Sequence, residues 1–276
     1  MHAEPLLALA LCTAAGAAEL QLIGWGGGLS YAGETSRSDG GFAGMYGKAG
    51  DDHLCIEAGW EGTRIGFADG SRINQQDATL LLGLHPYPDA TARMGVHLTW
   101  DAAGDLIGST VIADAAEGYA GGWWSGLTVA VSHLTVAVPS IYAVQASPRG
   151  GWSWQLADGL AIEPSAGATA SCLDRDPGFD RQSFFSLEGA LAICFAPVRL
   201  EAAGWTGTRC YHVAQQGFVV YDLPALYRHG WSFALTTDLP RGAWCGLLVG
   251  RDNFRHIDAH ADATADRLIA MFGLTF

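Results

Sequence analysis

The last nine residues of the chain read Leu268-Ile269-Ala270-Met271-Phe272-Gly273-Leu274-Thr275-Phe276. Counted back from the terminal Phe276, every second side chain is apolar. Successive side chains of a β-strand point to opposite faces of the sheet, so this spacing predicts a strand with one wholly apolar face. Such a face must lie against apolar matter, which is either a protein core or the hydrocarbon of a membrane.

The same alternation recurs along the chain. From Arg93 to Asp101 one face is polar or small, and the other carries Met94, Val96, Leu98 and Trp100. Gly, Pro, Asp or Asn interrupts the pattern about every ten to fifteen residues, as turns do between strands. Similar alternation covers 160–172, 183–195, 198–202 and 231–238. The pattern predicts an all-β chain of antiparallel strands.

The alternation and its interruptions predict candidate strands, whose bounds carry an error of several residues. They are 20–33, 40–48, 53–68, 73–86, 91–101, 106–118, 122–133, 135–147, 159–173, 182–196, 198–210, 228–239, 243–254 and 264–276. The first two are rich in glycine, and one pair can be a single bent strand. Because bacterial single-chain barrels have even strand numbers, we expect about 12 strands, within a range of 10–14.

Composition separates a membrane barrel from a soluble sheet protein. Apolar residues make up 49% of the chain and charged residues 16%, against about 25% in a typical soluble domain. Beyond the first twenty residues, no uninterrupted apolar stretch approaches the roughly 20 residues of a spanning helix. Soluble sheets protect their wet faces and edges with charge, especially Lys, but the chain has one lysine, Lys48. These observations favour a transmembrane antiparallel up-and-down β-barrel.

The beginning of the chain predicts a secretory signal peptide over residues 1–18. Pro5 to Ala18 form an apolar core followed by small residues, which suits signal peptidase. The first four residues lack the usual Lys or Arg, and a buried N-terminal helix is the alternative. Residues 19–276 are then one barrel domain, whose five cysteines have no spacing typical of disulfide frameworks or zinc sites.

The C-terminal segment resembles the assembly signal of Gram-negative outer-membrane β-barrel proteins, whose last strand ends in Phe. The residues that carry this resemblance are Leu268, Phe272, Leu274 and Phe276. It implies a location in the outer membrane, contact with its lipid, and recognition by the barrel assembly machinery. The general layout is similar to porin-like outer-membrane proteins, although no motif indicates one specific family.

In a closed barrel the polar half of the alternation lines the lumen. Charges of both signs in a lumen can select among solutes, or can pair and fill it. We therefore expect a porin-like channel for small hydrophilic solutes. The candidate lumen-lining residues are Glu57, Arg93, His97, Asp101, Glu163, Glu188, Arg199, Glu201 and Asp238.

Other functions find less support. The net charge of −13 argues against a nucleic-acid partner, and no cofactor motif is present. No histidine stands in a His-x-Ser pair, and Ser132-His133 would point to opposite faces. Asp258-Ala259-His260 has the Asp-x-His spacing of omptin proteases, and with His256 and Asp262 it offers ligands for a divalent cation, although a solvated loop explains it equally. We expect no enzyme; a barrel enzyme or adhesin acting through extracellular loops, and a secreted soluble β-sandwich, are the alternatives.

Overall fold

The computed structural model describes residues 19–33, 35–119, 121–135, 140–214, 219–220, 225–256 and 262–276. The predicted signal peptide lies outside these residues. Within them the chain forms seventeen strands: β1 (Glu19–Gly33), β2 (Arg37–Gly50), β3 (Leu54–Phe67), β4 (Arg72–Tyr87), β5 (Ala90–Asp101), β6 (Leu106–Gly118), β7 (Trp123–Leu134), β8 (Ile141–Trp152), β9 (Trp154–Ala157), β10 (Leu160–Leu173), β11 (Ser183–Phe195), β12 (Val198–Arg209), β13 (Val213–Ala214), β14 (Val219–Val220), β15 (Ala225–Asp238), β16 (Ala243–His256) and β17 (Asp262–Thr275).

Fourteen long strands close into an antiparallel barrel in which each pairs with its neighbours in sequence. The seam joins the last strand to the first, where Trp25 lies opposite Met271, and Trp25 also lies opposite Gly44 of β2. The short β9 continues β8 beyond Ser153 and pairs with β10. The two-residue strands β13 and β14 pair with each other in the connection between β12 and β15.

The strand number lies at the upper end of the predicted range, two above the central value of 12. The glycine-rich segments near the start are full strands, Glu19–Gly33 and Arg37–Gly50. Their pairing with each other and with β17 supplies the hydrogen bonds that close the barrel. The strand β15 begins at Ala225, three residues before the predicted start at 228.

The barrel has two unlike ends. At one end, called the turn end here, β1 begins and β17 ends, and the connections between strands have at most four residues. The opposite loop end carries longer connections, including 174–182 and 210–224. The turns are locally stabilised: the Asp51 carboxylate accepts the backbone N–H groups of His53 and Leu54 at 2.8 and 2.9 Å. These two hydrogen bonds hold the pKa of Asp51 below its usual value.

The two faces of the barrel wall differ as the alternation predicts. On β5, Met94 is 64% exposed on the outer face, while the neighbouring inner-face side chain His97 is 1% exposed. Large apolar residues lie exposed on the outer face of every long strand from β3 to β17 except β10, whose outer residues are smaller or half-buried. An exposed apolar surface that encircles a closed barrel is the surface expected against lipid. The described residues contain no helix long and apolar enough to cross a membrane.

Candidate functional site

Charged side chains and one tyrosine form a connected group across the inner face from β2 to β8. The Arg93 guanidinium lies 2.6 Å from the Asp114 carboxylate and 3.5 Å from that of Glu57. Asp114 also lies 2.8 Å from Arg149, and the Glu57 carboxylate accepts the Tyr46 hydroxyl at 3.0 Å. The side chain of Asp114 is 1% exposed and shared by two arginines. The wall thus carries charges of both signs that neutralise one another in fixed positions.

A second group lies on β4 and β5, nearer the loop end. His97 Nε2 is 3.1 Å from the Asp77 carboxylate, and its Nδ1 is 2.8 Å from the Thr79 hydroxyl. Thr99 donates to the same Asp77 oxygen at 2.8 Å. Both ring nitrogens of His97 are therefore engaged, and the imidazole is held in one orientation.

Charged residues also gather near the turn end, on β10 and β12. Arg199 forms ion pairs with Glu163 and, at 3.1 Å, with Glu201. The Cys194 sulfur accepts a hydrogen bond from the same guanidinium at 3.1 Å. The side chain of Arg199 is 41% exposed, so this group faces solvent more openly than the Arg93 pair.

The inner face of β11, β12 and β16 carries an aromatic group fixed by charges. Arg209 pairs with Glu188 at 2.7 Å, and its guanidinium lies 4.3 Å over the Trp205 ring. The Trp205 N–H donates to Asp252 at 3.1 Å, and Asp252 also pairs with Arg267. The indole is therefore held from two sides, by a cation over its ring and by a carboxylate at its N–H.

Seven of the nine residues expected in the lumen belong to these groups, namely Glu57, Arg93, His97, Glu163, Glu188, Arg199 and Glu201. The other two lie at strand ends. Asp101 accepts the backbone N–H groups of Ala103 and Asp105, which stabilises the turn after β5. Asp238 is the exposed last residue of β15.

The connection after β12 folds into the barrel from the loop end. Gln145 of β8 donates to the Val213 carbonyl at 2.7 Å and accepts the Val213 N–H at 2.9 Å. The His212 Nδ1 also lies 3.1 Å from the Gln145 carbonyl oxygen. Val213 packs against the inner-face residues Leu81, Ile112 and Ala130. We call residues 210–214 the inserted segment; it reaches about the middle of the wall.

Apolar residues surround the rest of the inserted segment at the loop end. Burial lowers the pKa of His212 well below its usual value and raises that of the Cys210 thiol to about 12. Both groups are thus held uncharged. The buried residues that pack together around Cys210 and Tyr211 are Leu134, Ile141, Ala143, Leu173, Phe184 and Leu226.

A cavity of about 200 Å³ opens on the inner face on the turn-end side of Arg209. Its wall belongs to β7, β8, β10, β11, β12, β15 and β17, and it includes three tryptophans, charges of both signs and two serines. Of the three tryptophans, Trp231 is exposed on the outer face, and the other two indoles lie inside. The lining side chains used below are Trp124, Arg149, Ser165, Glu188, Trp205 and Arg267.

Sequence reasoning missed the residues that organise this interior. Asp114, Gln145, Arg149, Arg209, Asp252 and Arg267 all lie on the polar face of alternating strands. Extending the alternation through 106–118 and 141–152 would have placed Asp114 and Gln145 on that face. Three tryptophans also turn inward: Trp25 donates to Glu61 at 2.7 Å, while Trp124 and Trp205 line the cavity.

The described residues offer little for metal or nucleophilic chemistry. Among them, no group of three or more His, Cys, Asp or Glu side chains is placed to hold a metal ion. Asp258 and His260 lie outside the described part of the chain. The Ser132 hydroxyl bonds to Thr110 at 2.8 Å on the inner face, while His133 stacks on Tyr142 on the other face. Strand geometry thus separates this serine from this histidine.

The C-terminal residues complete the seam of the barrel. Leu268 and Phe272 lie on the exposed outer face. The Phe276 N–H donates to the Leu20 carbonyl at 2.9 Å, and the Leu20 N–H donates to the Phe276 carbonyl at 3.3 Å. Leu274 pairs with Leu22 and with Ala243. The last residues thus join the first strand at the turn end.

Comparison with known proteins gives structural relatives only. No family model and no curated protein matches the chain. It is similar to the CymD monoaromatic hydrocarbon channel, with 7% identity, a TM-score of 0.62, and coverage of 100% of this chain and 93% of that one. A mutant of the TodX monoaromatic hydrocarbon channel gives 11% identity, a TM-score of 0.61, and coverage of 97% and 92%.

A third structural relative has a different description. It is a bacterial polysaccharide outer membrane secretin, with 9% identity, a TM-score of 0.53, and coverage of 93% of this chain and 98% of that one. At these identities the likeness concerns the fold. Together with the apolar outer face, it identifies the chain as an outer-membrane β-barrel located in the outer membrane.

Proposed function

We propose that the protein is an outer-membrane channel for small hydrophilic solutes. The observation that supports this most is the inner face, where charges of both signs lie in fixed pairs such as Arg93 with Asp114 and Arg199 with Glu163. Polar walls of this kind replace part of the hydration of a polar solute and tune its passage by charge. The structural relatives that are named as channels support the channel, although their names give hydrocarbons as the solute.

The two ends of the barrel then acquire different roles. Bacterial outer-membrane barrels have short periplasmic turns and longer extracellular loops. The turn end, with connections of at most four residues, is accordingly the periplasmic end, and the loop end faces outward. The inserted segment, residues 210–214, then narrows the pathway from the outside, so we expect a small conductance.

Gln145 is the contact that fixes the inserted segment, because its amide bonds to both the N–H and the carbonyl of Val213. In planar bilayers, the purified barrel should give a small, steady unit conductance. Gln145→Ala should raise that conductance because it frees the segment. The matched control is Gln155→Ala, since Gln155 is exposed on β9 and bonds only to the nearby Ala157 carbonyl.

Two results would contradict this proposal. One is a folded, heat-modifiable barrel that conducts no ions, either as wild type or as Gln145→Ala. The other is an equal gain in conductance from Gln145→Ala and Gln155→Ala, which would mean that the inserted segment does not limit the pathway.

A specific observation favours a second candidate, a channel for small apolar solutes. The loop-end interior is an apolar cluster that includes Leu134, Phe184 and Leu226. An apolar solute would gain by leaving water for such a lining. Titration calorimetry in detergent with toluene would detect this binding, and Phe184→Ala should weaken it. Toluene binding without flux of arabinose into vesicles would favour this candidate over the first.

A further inference from the structure

The cavity on the turn-end side of Arg209 has an aromatic wall that is already in place. Asp252 and Arg209 hold the Trp205 indole, as described above. The Trp124 indole lies so close over Gly151 that a β-carbon at that position would meet its ring. Neither ring therefore has to be ordered by a ligand, and pre-organised walls bind with a smaller entropic cost.

The charges around the cavity are paired within the protein. Arg149 pairs with Asp114, Arg267 with Asp252, and Glu188 with Arg209. A charged ligand would have to compete with one of these internal partners. A neutral ligand can instead accept hydrogen bonds from the guanidinium groups and donate to the carboxylate without breaking a pair.

Size and shape restrict the ligand further. The volume of about 200 Å³ admits one ring with polar substituents. Two indoles offer flat apolar surfaces, while Arg149, Arg267, Glu188 and Ser165 offer donors and acceptors around them. A pyranose matches this division, because its C–H groups form an apolar face and its hydroxyl groups project from the rim. An unsubstituted hydrocarbon ring would displace water from these polar groups and offer them no hydrogen bond in return.

We infer that this cavity is a binding subsite for a neutral sugar ring, placed along the channel between the inserted segment and the turn end. The inference rests on the proposed function for its biological meaning, since the sugar would be the solute that the channel passes. Binding itself requires only the folded barrel.

The test measures binding and conduction separately. D-glucose and maltose are titrated into the detergent-purified barrel while tryptophan fluorescence is recorded, and the same sugars are added to the barrel in planar bilayers. We expect a saturable fluorescence change and a concentration-dependent fall in ion current. Trp124→Ala should weaken both by about tenfold, the factor that corresponds to about 1.4 kcal/mol. Trp124→Phe should restore part of the affinity because it keeps an aromatic face.

The matched control is Trp154→Ala, which removes a half-exposed tryptophan of β9 outside the cavity. It should leave the sugar affinity unchanged, and the heat-modifiable mobility of every variant establishes that it folds. D-glucuronate and toluene serve as charged and apolar comparison ligands and should bind more weakly than D-glucose.

The outcomes separate the two proposals. Steady conductance without sugar binding, tighter binding of D-glucuronate or toluene than of D-glucose, or equal effects of Trp124→Ala and Trp154→Ala would overturn the sugar subsite and leave the channel intact. Sugar binding in a barrel that never conducts would support the subsite and overturn the channel.

Discussion

At the scale of single residues, Asp114 connects three side chains of the inner wall, although sequence reasoning did not single it out. It accepts hydrogen bonds from Arg93 and from the Thr128 hydroxyl, both at 2.6 Å, and it forms an ion pair with Arg149 at 2.8 Å. Removing one member of a buried charge group leaves its partners uncompensated, at a cost of about 3 to 5 kcal/mol. We expect Asp114→Ala to lower the unfolding free energy in detergent by about that amount.

The matched control is Asp266→Ala, which breaks the exposed Arg251–Asp266 pair on the outer face near the loop end. Exposed pairs contribute little, so the unfolding midpoint in denaturant should move far less than for Asp114→Ala. Equal shifts for the two variants would show that the inner charge network does not stabilise the barrel.

We expect the inserted segment to respond to acid through His212. Burial lowers its pKa, so protonation favours states in which the imidazole reaches water. The insertion is fully favourable above the ordinary histidine pKa of about 6.5 and weakens as the pH falls below it. We therefore expect the bilayer conductance to rise below about pH 6.5. His212 faces a small cavity, which is also lined by side chains of neighbouring strands, namely Trp205, Arg209, Tyr227 and Asp252.

A non-titrating replacement tests this assignment. His212→Asn keeps a donor for the Gln145 carbonyl oxygen but does not gain a proton between pH 5 and 7. Its conductance should be nearly independent of pH over that interval. If the variant shows the same acid response as the wild type, another group controls it.

At the scale of elements, the last strand has two roles that experiment can separate. β17 closes the barrel against β1, and Phe276 ends it with backbone hydrogen bonds to Leu20. If the assembly machinery also recognises Phe276, Phe276→Ser should reduce the amount of folded barrel in the outer membrane several-fold. It should nevertheless leave refolding of the pure protein into detergent almost unchanged. Gel mobility of unheated samples measures both quantities.

Phe195→Ser provides the comparison. Phe195 is also an outer-face phenylalanine at the turn end, 42% exposed, but it ends an internal strand. A general cost of losing an apolar side chain against lipid would affect both variants alike. Equal amounts of the two folded variants in the outer membrane would therefore contradict the assembly role of Phe276.

At the scale of the whole molecule, closure determines stability. Each long strand has two hydrogen-bonded neighbours, so the barrel has no free edge within the lipid. We expect the unheated protein to migrate as a compact form in SDS gels and to shift on boiling. A chain that lacks residues 262–276 exposes the edges of β1 and β16 and should show neither the compact form nor conductance. A compact form in the truncated chain would contradict a barrel closed by β17.

The sequence by itself determined the features that depend on local spacing. Alternation with period two identified the apolar face of β5 and β17 and the antiparallel all-β class. Side chains two residues apart share a face in any strand, whatever its neighbours are. A polar face with almost no Lys indicates the enclosed interior of a barrel, whose apolar face then meets lipid.

Only the tertiary structure decided the strand number, the identity of the ion pairs and the contents of the lumen. Arg93 meets Asp114 because the turn after β5 fixes the register of two strands. Arg149 reaches the same carboxylate across a further strand, and Val213 enters the lumen because Gln145 stands opposite it. These contacts join residues from 21 to 68 positions apart, and a periodicity of two carries no information over such separations.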